Sequence, residues 1–447
     1  MDIFLFITQL LVVLACIVMG TRSSGVGLGL WGGTGVAILV FVFGLAPGAP
    51  PVDALLIVLS VVLASSMMQA AGGIDWMVSI AAKVIAKNPK QITLIAPLTA
   101  FLFSVGAGTS NILYPLLPVI YDLSYRNGIR PSRPLSLSVV ATGVALACSP
   151  VSAAMAAMIA LTDTAPWNFE LMDIIKVTLP AAIVGIFLAS LFVRRLGKDI
   201  ADDPEIQAKI ASGKLVAPGA TATEVKAEVT VTTQGRWAAI IFLLGVLAIV
   251  IFGLFSGLRP LTGEGNPISM TPIIEIIMFV AGTLIMLVSK PKVSEIPTMT
   301  VFRAGMVSAI ALFGLAWLTN TFLGEHSQLV ADGIGGLVDT APWIFALGVF
   351  LVCVLTTSQS TATNSIVPIG LAAGIPLGLM SGMWAGAFAG IYLLPTNGSQ
   401  IAAANFDESG STKLGTKLVD HSFFLPTLIL AVATIAVGSL FGVIWGG

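Results

Sequence analysis

Residues 104–118 read SVGAGTSNILYPLLP. They sit in strongly apolar sequence, yet residues 106–111 hold two glycines followed by Thr109, Ser110 and Asn111. A lipid-exposed helix does not carry three polar residues in a row. Non-helical backbone at membrane depth is tolerated only where it is buried in protein or lines a wet cavity. The stretch therefore reads as the tip of a re-entrant hairpin, with arms over about 90–123. A second tip follows at 356–368, TTSQSTATNSIVP, in a hairpin over about 342–374. Asn111 and Asn364 are 253 residues apart, as are Pro115 and Pro368, and Pro89 and Pro342. Two broken-helix elements at one offset are the signature of a secondary transporter built from internal repeats.

Composition sets the class. Of 447 residues, 56% are hydrophobic and 10% charged. A soluble domain carries about 25% charge, so the chain reads as an all-α polytopic membrane protein. Its formal net charge of −1 offers no basic face, so no nucleic-acid partner is expected. Cys16, Cys148 and Cys353 share no metal-ligand spacing and read as small packing residues. No metal and no cofactor is expected.

A bilayer core needs about 20 apolar residues per helix. This predicts spans near 3–20, 25–46, 53–72, 134–161 and 172–196, then 236–257, 271–289, 301–323, 378–404 and 423–445. The organisation expected is two inverted repeats, 1–196 and 236–447. Each holds five transmembrane helices plus one re-entrant hairpin, with discontinuous helices at the centre. The segment 197–235 is the one long polar connection and reads as a tether with a short helix opened by Asp202-Asp203-Pro204.

Charge supports this topology. With the N-terminus outside, the predicted cytoplasmic segments carry Arg22, Lys83, Lys87, Lys90, Arg126, Arg130, Arg133, Arg194, Arg195, Lys198, Lys290, Lys292, Lys413 and Lys417. The predicted outer segments are 47–52, 162–171, 258–270 and 324–341. Together they hold one basic residue, Arg259. The chain is thus expected to be multi-pass in a bacterial inner membrane, with both termini outside.

A second interruption follows each hairpin. In 134–161 it is Cys148-Ser149-Pro150-Val151-Ser152; in 378–404 it is Leu394-Pro395-Thr396-Asn397-Gly398-Ser399. Proline breaks a helix interior but suits the first position of a new helix. Ser149, just before Pro150, is the expected cap of a second half-helix whose N-terminus can face an anion. The plain alternative is a packed proline kink. Four half-helix ends are then expected to meet near the midplane. Ser110, Asn111, Ser149 and Ser152 come from one half, with Thr109 beside them. Thr363, Asn364, Thr396, Asn397 and Ser399 come from the other. The plain reading of each hydroxyl is a bond back to its own helix. Arg303 opens the span 301–323 and either snorkels or pairs with a substrate carboxylate.

No acid falls at the centre of a predicted span, which disfavours a pure cation exchanger. His326 and His421 fall in predicted loops, and neither HExxH nor GxSxG occurs, so an enzyme is not expected.

Several stretches carry a family resemblance. They are MMQAAGGIDWMV (67–78), NPKQITLIAPL (88–98), RPLSLSVVATGVALACSPVSAA (133–154), DDPEIQAKIASG (202–213), FRAGMVSAIALFGLAWL (302–318), LPTNGSQIAA (394–403), GSTKLG (410–415) and HSFFLP (421–426). The chain resembles the anaerobic four-carbon dicarboxylate uptake (Dcu) family nearly end to end. At the first tip, Ser110 stands where the family pattern has glycine. The resemblance implies uptake or exchange of fumarate, malate, succinate and aspartate, and a fold with paired re-entrant hairpins. Candidate partners are the dicarboxylate, the lipid bilayer, a homo-oligomer and a membrane sensor. The leading expectation is a dicarboxylate antiporter with alternating access. The alternatives are a carrier of another small organic or inorganic anion and, last, an intramembrane enzyme.

Overall fold

The computed structural model describes residues 3–23, 25–163, 166–219, 231–263, 265–416 and 419–445. Residues 220–230 of the expected tether, and Lys417, lie outside the described residues. The helices are α1 (Ile3–Ser23), α2 (Gly27–Phe41), α3 (Val52–Ala70), α4 (Gly73–Ala86), α5 (Ile92–Ala107), α6 (Leu117–Arg126), α7 (Ser132–Ala145), α8 (Ala153–Thr162) and α9 (Leu171–Val193). They continue as α10 (Pro204–Ala211), α11 (Thr233–Leu254), α12 (Met270–Ser289), α13 (Thr300–Thr340), α14 (Trp343–Thr356), α15 (Gln359–Ala372), α16 (Leu377–Ala387), α17 (Gly398–Phe406) and α18 (Phe424–Trp445). Among the described residues there is no strand beyond one bridge between Leu261 and Pro267.

Seven helical stretches in the described residues are long and apolar enough to cross a bilayer. They include Pro89–Ala107, the expected first arm of a hairpin, which by length and hydropathy is itself a candidate span. The apolar windows 134–161 and 378–404 each divide into two helices, α7/α8 and α16/α17. Pro150 and Pro395 cannot donate to a continuing ladder, so the chain stops and restarts there.

Three expectations are corrected. The segment 324–341, expected as an outer loop, is helical to Thr340. His326 is therefore not in a loop: it is 1% exposed, with Nε2 against Gln9 Oε1. An unforeseen helix, α4, buries one face through Ile74, Met77, Val78, Ala81 and Ile85. Its fourteen residues, with Lys83 among them and Lys87 just after, are too few for a span, so the stretch read as a cytoplasmic segment. The tether is also less free than expected. Asp203 caps α10 by accepting from the Glu205 and Ile206 amides. Arg130 pairs with Asp203, Arg133 with Asp199 and Lys413 with Glu205. The connection is thus docked through Val216, whose carbonyl accepts from the Tyr125 hydroxyl.

Packing sorts the helices into two groups. In one, α2, α3, α11, α12 and α13 pack chiefly on one another, with α1 outside α2. In the other, α5, α7, α9, α14, α16 and α18 do so, and α6 and α17 attach to α7. The helices α4, α8 and α15 lie on the seam. Each group has a backbone-on-backbone contact. A Cβ on Gly314 would lie 2.0 Å from the Gly29 carbonyl oxygen, and one on Gly382 2.1 Å from that of Gly438. Small residues allow such approach where lipid supplies no hydrophobic drive.

On the face away from the tether, Asp163 follows α8. Burial pushes its carboxyl up to about 6, and Glu170 adds to this. Arg259 and the Thr271 and Met270 amides pull it back. A folded-state acid with a raised pKa stabilises the fold when protonated, and that contribution is lost as pH rises through about 6. Asp163→Asn should therefore raise the melting temperature at pH 7, by less at pH 5, and leave it near wild type only below pH 3.8, the ordinary value of the carboxyl. Equal shifts at both pH values would contradict this assignment.

Candidate functional site

The polar stretch 109–111 and the stretch 356–360 come together across the seam. At the first break α5 ends on Gly108, whose φ of +68° only glycine adopts freely. A Cβ there would lie 2.5 Å from the Val151 carbonyl oxygen, so the first break packs directly against the α7/α8 break. Thr109 is extended, and its hydroxyl accepts from the Asn111 amide at 3.2 Å. The chain then runs as a 3-10 turn, Ser110–Leu116, into α6. At the second break α14 ends on Thr357, at φ +51°. Ser358 is extended and caps α15 through the Thr361 amide at 3.2 Å. The two breaks share one grammar, a left-handed C-cap followed by an extended hydroxyl N-cap. Their offset is 249 residues, from Gly108 to Thr357, and not the 253 that aligns the asparagines.

Both breaks line one cavity of about 380 Å³. Gly108, Thr109, Ser110 and Asn111 form one wall, and residues 356–360 another. The start of α8 adds Ala153 and Ala154. Opposite stand Val58, Val61 and Ser65 of α3 and Ala304, Gly305 and Ser308 of α13. Among the described residues, no Asp, Glu, Lys, Arg or His belongs to the lining. Its polarity comes from hydroxyls, two amide side chains and helix starts. The first amides of a helix have no intrahelical acceptor. Met155 and Thr361 find hydroxyl acceptors, on Ser152 and Ser358. Ala153 and Ala154 of α8, and Gln359 and Ser360 of α15, begin their helices at the cavity wall. Each helix start carries about half a positive charge. A neutral cavity with two such starts and a third at the Ser110 turn favours an anion.

The other expected groups lie elsewhere. Ser149 does not cap α8: residues 149–152 form a turn, with the Ser152 amide donating to the Ser149 carbonyl at 3.4 Å, and Ser152, itself extended, is the cap. The Ser149 hydroxyl accepts from the Val151 amide at 3.3 Å. Ser152 also donates to the Leu146 carbonyl at 2.6 Å, so its hydroxyl is spent on the break itself. The Thr363 hydroxyl donates to the Gln359 carbonyl and accepts from the Trp384 indole. Asn364 is one turn into α15, 1% exposed, and its amide donates to the Ser360 carbonyl at 2.7 Å. It lines a separate cavity of about 240 Å³ with Asp53 and Asn320. Asn397 caps α17 in a box with Gln400, and its carbonyl also accepts from the Ser399 hydroxyl. Thr396 is exposed beside them. This break packs behind the Ser110 turn, where a Cβ on Gly398 would lie 3.0 Å from the Tyr114 hydroxyl oxygen. Arg303 is exposed and is not part of the cavity lining, although Ala304 and Gly305 are.

Sequence reasoning missed Ser65, Ser308 and Gln359. Ser308 and Ser360 approach to 3.3 Å across the seam, and Gln359 donates to the Gly143 carbonyl at 3.3 Å. Gln359 was visible in TTSQST, one residue past the true cap. Ser308 is isolated among apolar residues of α13, and Ser65, beside Ser66 in α3, carries no break signal because neither glycine nor proline adjoins it.

Known proteins agree with this architecture. The YdaH transporter of Alcanivorax borkumensis superposes with a TM-score of 0.59 over 98% of this chain and 97% of that one, at 14% identity. The antimetabolite efflux pump MtrF of Neisseria gonorrhoeae gives 0.56 over 91% and 84%, at 13% identity. These likenesses concern the fold alone. In sequence, the chain is 36% identical to the anaerobic C4-dicarboxylate transporter DcuB of Escherichia coli over 99% of both chains. It is 30% identical to the C4-dicarboxylate transporter DcuA of Wolinella succinogenes over 97% of this chain and 98% of that one. The model of the anaerobic C4-dicarboxylate membrane transporters matches residues 5–446. The chain is a multi-pass membrane protein and belongs to that transporter family.

Proposed function

We propose that this chain carries C4-dicarboxylates such as fumarate, malate, succinate and aspartate across the membrane, and that it exchanges one for another. It is a transporter and not an enzyme. The observation that carries the site is the uncharged cavity where three helix starts meet. One carboxylate is held at Ser110 and Asn111, and the other at the Gln359 and Ser360 amides. A hydrogen bond to a charged oxygen contributes about 1.5–3 kcal/mol. Thr109, Ser149, Ser152, Thr363, Asn364, Thr396, Asn397 and Ser399 hold the breaks in shape around that site. Arg303 snorkels toward headgroups.

Alternating access follows from movement of the group built on α5, α7, α9, α14, α16 and α18 against the group built on α1–α3 and α11–α13, with the cavity on the seam between them. The inverted-repeat reading, 1–196 and 236–447 about a 197–235 linker, is supported by the shared cap grammar of the two breaks. Re-entrant hairpins fit the short α6, α14 and α15. The orientation, with tether and basic loops in the cytoplasm and both termini in the periplasm, rests on the loop charges. A second copy or a membrane sensor has an apolar flank to meet on α12, at Ile276, Phe279 and Val280. The light-scattering mass of solubilised protein tests the former.

Liposomes loaded with succinate should take up labelled fumarate, and empty liposomes far less. Equal uptake would remove exchange, and none with active protein would remove the substrate class. Asn111→Ala should weaken succinate binding about 10–150-fold at near-native melting temperature. Asn364→Ala should instead cost about 1 kcal/mol of stability and leave affinity near wild type. Arg303→Gln should change neither; the reverse pattern would move the site to the Asn364 cavity. For orientation, a cysteine at exposed Leu261 should react with an impermeant thiol reagent from outside, and one at exposed Lys87 should not. The native cysteines are buried and leave the background low.

A further inference from the structure

Arg259 is the one basic residue in the segments expected to face outward, and it is 4% exposed. A lone cation placed against the charge bias and then buried calls for a reason. The α11 end holds it in place: its Nε donates to the Phe252 carbonyl at 2.8 Å. Its two terminal nitrogens reach Glu170, Nη1 to Oε1 at 2.7 Å and Nη2 to Oε2 at 2.5 Å. Glu170 is held equally firmly from the other side. It caps α9 in a reciprocal box with Asp173. Arg259 thus belongs to the first helix group and Glu170 to the second. The planar fork spans the seam on the face opposite the tether. Close packing accompanies it: the Met172 side chain of α9 seats on Gly253 of α11, where a Cβ would lie 2.6 Å from it. Asp163 completes the cluster, with Oδ2 buried and unbonded beside the first turn of α12.

We infer that Arg259 and Glu170 form an outer latch that holds the two helix groups together in this conformation and parts in each transport cycle. The inference rests on the proposed movement of the groups. A bidentate guanidinium–carboxylate pair suits this role, because it is directional, its Arg259 end is buried while Glu170 reaches the edge of the seam, and water replaces it once the seam opens. The neighbours limit its strength. Asp163 presents a second carboxylate to the same guanidinium, so the closed latch carries two acids for one base.

The test uses Glu170→Cys/Arg259→Cys in liposomes, joined by a reductant-cleavable bifunctional thiol reagent as long as the Arg–Glu reach. Crosslinking should lower succinate–fumarate exchange more than tenfold, and cleavage should restore it. Exchange at the uncrosslinked rate would overturn the latch. A second measurement needs no transport. A cysteine at Thr109 should react with an outside impermeant reagent several-fold faster in Glu170→Gln than with Glu170 present. Equal labelling rates would also overturn it. Failure of the wild-type liposomes to exchange would instead count against the transport reading, and the labelling arm would still decide the latch.

Discussion

A backbone amide among apolar side chains must be bonded, and the centre of this molecule is arranged around that requirement. Each break creates amides that the preceding helix cannot satisfy. Thr109, Ser152, Ser358 and Asn397 each take up one or two of them with a side-chain oxygen. At α8 and α15 the remaining first-turn amides begin at the wall of one cavity. The site for an anion is therefore what is left when capping is complete. It needs no ionised side chain, and none of the described residues that line it carries a charge.

The two helix groups are bound internally and across the seam by different means. Within them, glycine backbones touch at Gly29–Gly314 and at Gly382–Gly438, contacts with no room for adjustment. Across the cavity, by contrast, Ser308 and Ser360 meet through a 3.3 Å hydroxyl pair. Glycine-on-glycine packing inside each group, with side-chain contacts and polar pairs between them, is the arrangement that lets groups shift against each other as units.

Much of this was legible in the sequence. Consecutive polar residues in apolar surroundings located both breaks, and internal prolines located the next two. The register was harder. Identity aligned Asn111 with Asn364, whereas geometry aligns Gly108 with Thr357. The difference is four residues, about one helical turn, so the asparagine in the second half falls inside α15 instead of at its mouth. Cap position also depends on backbone conformation. Ser149 precedes the proline, yet a turn intervenes before the helix restarts at Ser152, and composition alone does not tell these serines apart. The length of α13 was hidden by Glu325 and His326, polar residues that read as loop until the Gln9 partner is seen.

A cavity with no charge of its own has an electrical consequence. Whatever charge the cargo brings is the charge that crosses the membrane field. Moving one elementary charge through 100 mV is worth about 2.3 kcal/mol, so a dianion entering alone against an inside-negative potential meets about twice that. Returning the empty cavity would move nothing and recover nothing. Returning it with another dianion cancels the work, whatever the voltage. A site built from dipoles alone offsets none of the cargo's charge on the loaded crossing, a cost that exchange of one dianion for another cancels and that net accumulation escapes only through a cation that travels with the cargo.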